Sequence, residues 1–171
     1  MTAIVLHEPE IPSNTGNIGR TCQAAGASLH LIEPLGFHLT ERNLKRAGMD
    51  YWERLSVSRY MNSEDFLSRN PGARIWYATT KARQSYTDVS FGPSDYIMFG
   101  KESAGIPEEI LIGHEESCIR IPMAAGERSL NLANSVAVIL YEALRQNHFA
   151  GLETEGSLHR LKWPENKDLR P

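Results

Sequence analysis

Five short apolar runs set the limits on how this chain folds: residues 3–6 (AIVL), 29–32 (LHLI), 75–78 (IWYA), 96–99 (YIMF) and 118–121 (CIRI). Each is of strand length, and each runs into a loop marked by Pro, Gly or a charged residue. The stretches between them are long enough for crossover connections, and several have helical spacing. Ile18, Cys22 and Ala25 recur on one helical face before Gly26, with Asn14 and Thr15 as candidate N-caps. Residues 64–68 and 107–113 read as short helices, and residues 42–47 as a helix with a basic face. Leu132, Val136, Ile139, Leu140, Ala143 and Leu144 trace the longest amphipathic stripe. Strands and helices in alternation predict an α/β domain with a mainly parallel sheet flanked by helices.

At 171 residues the chain suits one domain, read here as residues 1–150 followed by a polar tail over 151–171. No run of apolar residues approaches a membrane span, and the start lacks the basic and apolar regions of a signal peptide, so a cytoplasmic protein is expected. Cys22 and Cys118 stand far apart without a Cys-x-x-Cys pair and read as buried thiols. The six histidines are scattered, with no pair at metal-binding spacing, so no metal is expected. A formal net charge of −3 argues against binding polyanions through bulk charge. Basic residues nevertheless gather in one stretch, as Arg42, Lys45, Arg46, Arg54 and Arg59, against the acids Asp50 and Glu53. That stretch is either a solvated helix face or a local phosphate-binding patch.

Three loops stand out because each follows a predicted strand, where ligands collect in open α/β sheets. PEIPSNTGNIGRTC (9–22) offers Asn14, two glycines and the planar cation of Arg20. Its spacing is not that of the dinucleotide-binding fingerprint, which disfavours a nicotinamide-dependent oxidoreductase. IMFGKESAGIPEE (97–109) places Gly100, Lys101 and Glu102 at a strand end, where the carboxylate is either a solvated turn residue or part of a site. IRIPMAAGERSLNLANSVAVILYE (119–142) carries Ser129 and Asn131 ahead of the long helix. Capping accounts for one of these two polar residues and leaves the other to be explained. The aromatic residues Tyr51, Trp52, Trp76 and Tyr77 suit either base stacking or the core, and the core is the commoner role.

In this order and spacing the three loops resemble the signature motifs of the SPOUT superfamily, the trefoil-knotted RNA methyltransferases that use S-adenosyl-L-methionine (AdoMet). IVLHEPEIPSNTGNIGR, LIEPLGF followed by RAGMDYWE, and the run from IPM to RSLNLANSVAVILYEA are similar to the TrmL (YibK-like) family, over residues 2–150. That family comprises tRNA (cytidine/uridine-2′-O-)-methyltransferases acting on the anticodon wobble nucleotide. The resemblance implies a deep C-terminal knot over about residues 100–144 (the alpha/beta knot). It also implies an AdoMet pocket lined by Ala78, Gly100, Ile121 and Ser129. Catalysis is assigned to Arg20, with Asn14, Glu102, Ser129 and Asn131 orienting it or the RNA. The implied partner is a tRNA anticodon stem-loop, which Arg42, Lys45, Arg46 and Arg54 would contact. The implied assembly is a homodimer in which Arg20 of one subunit approaches the cofactor of the other.

Removing a proton from a guanidinium at neutral pH costs roughly 7 to 9 kcal/mol. Arg20 is therefore expected to clamp a phosphate and stabilise a developing oxyanion rather than act as an unassisted base. The competing reading is a non-catalytic RNA-binding or nucleotide-sensing knotted protein. The presence of both Arg20 and Glu102, which cofactor binding alone does not require, separates the two.

Overall fold

A computed structural model describes residues 1–38 and 52–163. In chain order these form β1 (Ala3–His7), α1 (Pro12–Ala25), β2 (Ser28–Ile32), a 3₁₀ turn (Trp52–Arg54), β3 (Val57–Tyr60) and α2 (Ser63–Arg69). There follow β4 (Ile75–Ala78), β5 (Tyr96–Phe99), α3 (Glu108–Leu111), a second 3₁₀ turn (Glu115–Ser117), β6 (Cys118–Ile119) and α4 (Leu132–Gln146). The six strands make one parallel sheet in the order β3-β2-β1-β5-β4-β6.

The central strands are buried along nearly their whole length, as a parallel sheet covered on both faces requires, and this is why they are continuously apolar in sequence. On one face Ile4, Leu6, Leu29, Ile97 and Phe99 meet Ile18 and Cys22 of α1 and Val136, Ile139 and Leu140 of α4. On the other, Val5 and Met98 meet Phe66 of α2 with Ile106 and Leu111. Trp76, Tyr77 and both cysteines are buried in these layers, and Trp52 packs partly buried against the first.

Several elements differ in detail from the sequence expectation. Helix α1 begins at Pro12, a residue pre-set for the first helical turn, and Ile11 at its N-cap makes no side-chain capping bond. Asn14 and Thr15 therefore lie inside the helix and are buried; they do not cap it. Gly26 ends the helix as expected, left-handed at φ 62°, its N–H reaching the carbonyls of Cys22 and Gln23. Strand β6 stops at Ile119 because Arg120 exchanges partners: its N–H bonds to Gln84 O at 3.1 Å, and its carbonyl accepts from Tyr86 N. The expected basic helix over 42–47 lies outside the described residues. Residues 151–163 form no helix or strand and are largely exposed.

Candidate active site

The strand order reverses at β1: the chain proceeds outward through β2 and β3, then returns to place β5 on β1's other side. The loops leaving β4, β5 and β6, with Ile11 and Asn14 at the start of α1, enclose a crevice beyond the strand ends. A cavity of about 620 Å³ lies there, a size ordinary for a small-molecule site. Ala78, Gly100, Ile121 and Ser129 all line it, as do Asn14, Glu102 and Asn131. The sequence reading missed Thr79, Met123 and Arg128, which share the lining. Met123 and Arg128 lie in the third loop and Thr79 directly follows Ala78 at the end of β4, and none carries a signal of its own.

The geometry excludes a merely solvated turn residue at Glu102. Its Oε2 accepts from the Glu10 backbone N–H at 2.8 Å, and its Oε1 from Ile11 N at 3.3 Å and Asn14 Nδ2 at 2.9 Å. A carboxylate from a distant loop thus supplies the N-terminal cap that Ile11 cannot, where the helix dipole also favours negative charge. The network continues through Asn14, whose Oδ1 accepts from Asn131 Nδ2 at 3.0 Å. Asn131 Oδ1 in turn accepts from Ala133 N and Asn134 N and so caps α4. Capping accounts for Asn131. The Ser129 hydroxyl, exposed in the cavity wall, has no partner among the described residues.

Gly100 has a role the sequence did not reveal. A Cβ built there would stand 1.9 Å from the Gly105 carbonyl carbon, so the loop can fold back on itself only with glycine at this position. Gly105 N bonds to Lys101 O at 2.8 Å to close the turn. The cavity wall here is consequently main chain. Close approach also explains Gly19 on α1, which gives way to the Trp52 ring and Leu55 rather than to a ligand.

Arg20 is exposed on α1, six residues beyond Asn14 and therefore about 9 Å further along the helix axis. It is not part of the lining of this subunit's cavity. Arg54 is exposed at the end of the first 3₁₀ turn. Arg42, Lys45 and Arg46 lie outside the described residues. At the exit of β1, Glu8 takes a left-handed backbone (φ 50°) and pairs with Lys101 Nζ at 2.8 Å, which raises the lysine's pKa. Burial lowers the pKa of neighbouring His7. No group of His, Cys, Asp and Glu able to hold a metal ion occurs among the described residues.

With the fold and cavity in view, similarity to known proteins is specific. Residues 1–141 match the SpoU rRNA Methylase family. A tRNA (cytidine(34)-2′-O)-methyltransferase of Aeromonas hydrophila is 49% identical over 152 residues, covering 88% of this chain and 97% of that protein. A solved structure concerned with 2-OH methylation of C/U34 on tRNA superposes with a TM-score of 0.81 at 44% identity, covering 86% of this chain and 97% of the other. An AdoMet-bound rRNA methyltransferase from Sinorhizobium meliloti gives a TM-score of 0.74 at 30% identity, over 84% of this chain and 56% of that one. The chain belongs to the SpoU methylase family.

Proposed function

We infer that this protein transfers the methyl group of AdoMet to the ribose 2′-oxygen of nucleotide 34, the cytidine or uridine at the wobble position of a tRNA. One observation carries the reading: the three motif-bearing loops, far apart in sequence, converge on a single cavity at the C-terminal edge of the sheet. The residues fit the cofactor. Gly100 presents main chain, Ala78 and Ile121 present small or apolar surface for an adenine, and Ser129 offers a free hydroxyl. AdoMet supplies, when bound, a methyl group made electrophilic by the attached positive sulfur. Transfer would form the ribose O–CH3 bond as the S–CH3 bond breaks, leaving the neutral thioether S-adenosylhomocysteine, with the hydroxyl proton passing to solvent. Arg20 holds an adjacent RNA phosphate and stabilises the charge developing on the oxygen. Glu102, Asn14 and Asn131 keep the helix starts and loops in register.

The position of Arg20 outside its own cavity supports a homodimer in which each Arg20 serves the partner's cofactor. The exposed Val138 and Tyr141 of α4, the helix packed against α1, offer apolar surface for that pairing. Anchoring of Trp52 on Gly19, beside Arg20, ties the end of the basic stretch to the same helix and supports phosphate contacts by Arg42, Lys45, Arg46 and Arg54. The deep knot is proposed too. Its support is the pairing of Ser85 with Arg120, which lays the loop after β4 alongside the chain that leads into α4. Stretching a single molecule from its termini would test it, since a tightened knot leaves the extended chain short. The domain comprises residues 1–150 with a polar tail. No helix among the described residues is long and apolar enough to cross a membrane, and the proposed compartment is the cytoplasm, where tRNA is modified.

Incubating the protein with AdoMet and tRNA, then mapping 2′-O-methylation, tests the reading. Methyl incorporation at nucleotide 34, abolished by a 2′-deoxy substitution there and by Arg20→Lys, is the expected result. Saturable AdoMet binding without methylation of any RNA would favour the non-catalytic alternative.

A further inference from the structure

Three carboxylates tie the β1 and β5 loops together: Glu8 pairs with Lys101 Nζ, Glu102 reaches from the β5 loop to the β1 loop, and Glu10 reaches the opposite way. Its Oε2 accepts from the Ser103 backbone N–H at 2.9 Å and its Oε1 from the Ser103 hydroxyl at 2.8 Å. In return, the Glu10 backbone N–H donates to Glu102. Each loop thus contributes a carboxylate to the other loop's backbone, and the result is a reciprocal clasp between residues separated by more than ninety positions in sequence. Satisfaction by both Ser103 donors holds the Glu10 carboxyl below the ordinary carboxylate range.

The segment carrying Glu10 is backed from its other side. Gly36 N bonds to Pro9 O at 2.9 Å, and the space a Gly36 side chain would need is filled by Glu10 main chain. Glu10 is therefore a fixed post. Ser103, by contrast, is exposed and belongs to the loop over residues 101–105, which forms one wall of the cavity. Glu10 does not touch the cavity. Its two bonds to Ser103 act on a wall whose conformation decides whether the cavity is closed on that side.

We propose that Glu10 is a positioning residue for the methyl-transfer reaction, holding the 101–105 loop through Ser103 in the shape that receives AdoMet. The proposal rests on the cavity being the AdoMet site. It assigns Glu10 no contact with cofactor or RNA, so its loss is read in cofactor affinity and not in tRNA affinity.

The test compares full-length wild type with Glu10→Ala, Glu10→Gln, Ser103→Ala, Ser103→Thr and the Glu10→Ala/Ser103→Ala double variant. AdoMet binding is measured by calorimetry, tRNA binding by filter retention and turnover at saturating tRNA. Glu10→Ala should raise the AdoMet Kd and KM by about 10- to 100-fold, the scale expected when a cavity wall is misplaced. Its kcat should fall less, and its tRNA Kd should not change. Ser103→Thr, which keeps both donors, should behave as wild type, and the double variant should be no worse than Glu10→Ala. Should Glu10→Ala fail to fold, Glu10→Gln and Ser103→Ala make the same comparison with one acceptor or one donor removed. An unchanged AdoMet Kd in the Glu10 variants, or additive losses in the double variant, overturns the proposal. A wild-type protein that binds no AdoMet overturns the cofactor reading beneath it.

Discussion

Asn14 donates from Nδ2 to Glu102 Oε1 at 2.9 Å, and because Asn131 donates to its other end, the amide can face only one way. Replacing the nitrogen by oxygen in Asn14→Asp sets two carboxylates against each other with little water between them, since Asn14 is buried. Like charge raises the folded-state pKa of the new acid. The folded state then holds a proton that the unfolded chain has released. The variant should match wild type in acid and lose about 1–3 kcal/mol as the pH rises through that raised pKa. Urea unfolding at pH 4 and pH 8 checks this; equal stability at pH 8 would refute the assigned orientation.

Gly19→Ala is the second expectation. In a helix the change ordinarily stabilises by roughly 0.8–1 kcal/mol. Here the added carbon would stand 2.9 Å from the Trp52 ring and 3.1 Å from Leu55, so the aromatic must move. The variant should be destabilised, shift its tryptophan emission and bind tRNA more weakly, with AdoMet affinity intact. Unaltered fluorescence and tRNA affinity would detach Trp52 from RNA binding.

Five of the six strands, the parallel sheet and α4 were legible in the sequence, because period and loop position depend on residue type. Strand β3, apolar only at Val57 and Tyr60, was not, and the cavity residues Ala78, Gly100, Ile121 and Ser129 followed from the family resemblance. What stayed hidden was how groups from different loops pair. Asn14 is a cap-type residue near a helix start, and nothing local says that the cap comes instead from Glu102. Gly100 reads as a permissive position beside a ligand, whereas its constraint is the backbone of Gly105. Glu10 has no motif of its own; its meaning lies entirely in Ser103, a long-range partner. The position of Arg20 outside the cavity followed from where α1 begins, and Pro12 marked that boundary more faithfully than the Asn14 and Thr15 signal did.

His30 lies away from the cavity, 2.8 Å from the Tyr60 hydroxyl and 3.0 Å from Ser28 Oγ. Burial, with Arg69 nearby, lowers its pKa to about 4. The unfolded chain takes up the proton near pH 6.5 and the folded one does not, so stability falls as the pH drops through that window. A shift of this size sets an upper bound of about 3.4 kcal/mol, and partial solvent exposure makes the expected loss smaller. Denaturant unfolding between pH 7 and pH 4 should show it, and His30→Gln should remove that part of the slope. An identical slope in the variant would assign the acid sensitivity elsewhere.

For the basic stretch, neutralising two of Arg42, Lys45, Arg46 and Arg54 should weaken tRNA binding irrespective of sequence. The dependence of log K on log salt should flatten by roughly 0.7 to 0.9 for each phosphate that no longer meets a cation. AdoMet affinity should stay as it was. Arg46→Glu is the sharper variant, and tRNA affinity unaltered by it would remove the stretch from RNA recognition.

The bond from Asn131 to Asn14 spans 117 positions and completes the polar line begun at Glu102. During synthesis, the first helix emerges long before the residue that finishes its hydrogen bonding. A chain still held by the ribosome, or cut short before Asn131, keeps its first two loops but lacks the donor that locks Asn14 and the helix start that closes the cavity. The cavity is therefore completed only when the third loop and α4 have joined the sheet, and a chain without them lacks part of the cavity wall together with the lock on Asn14.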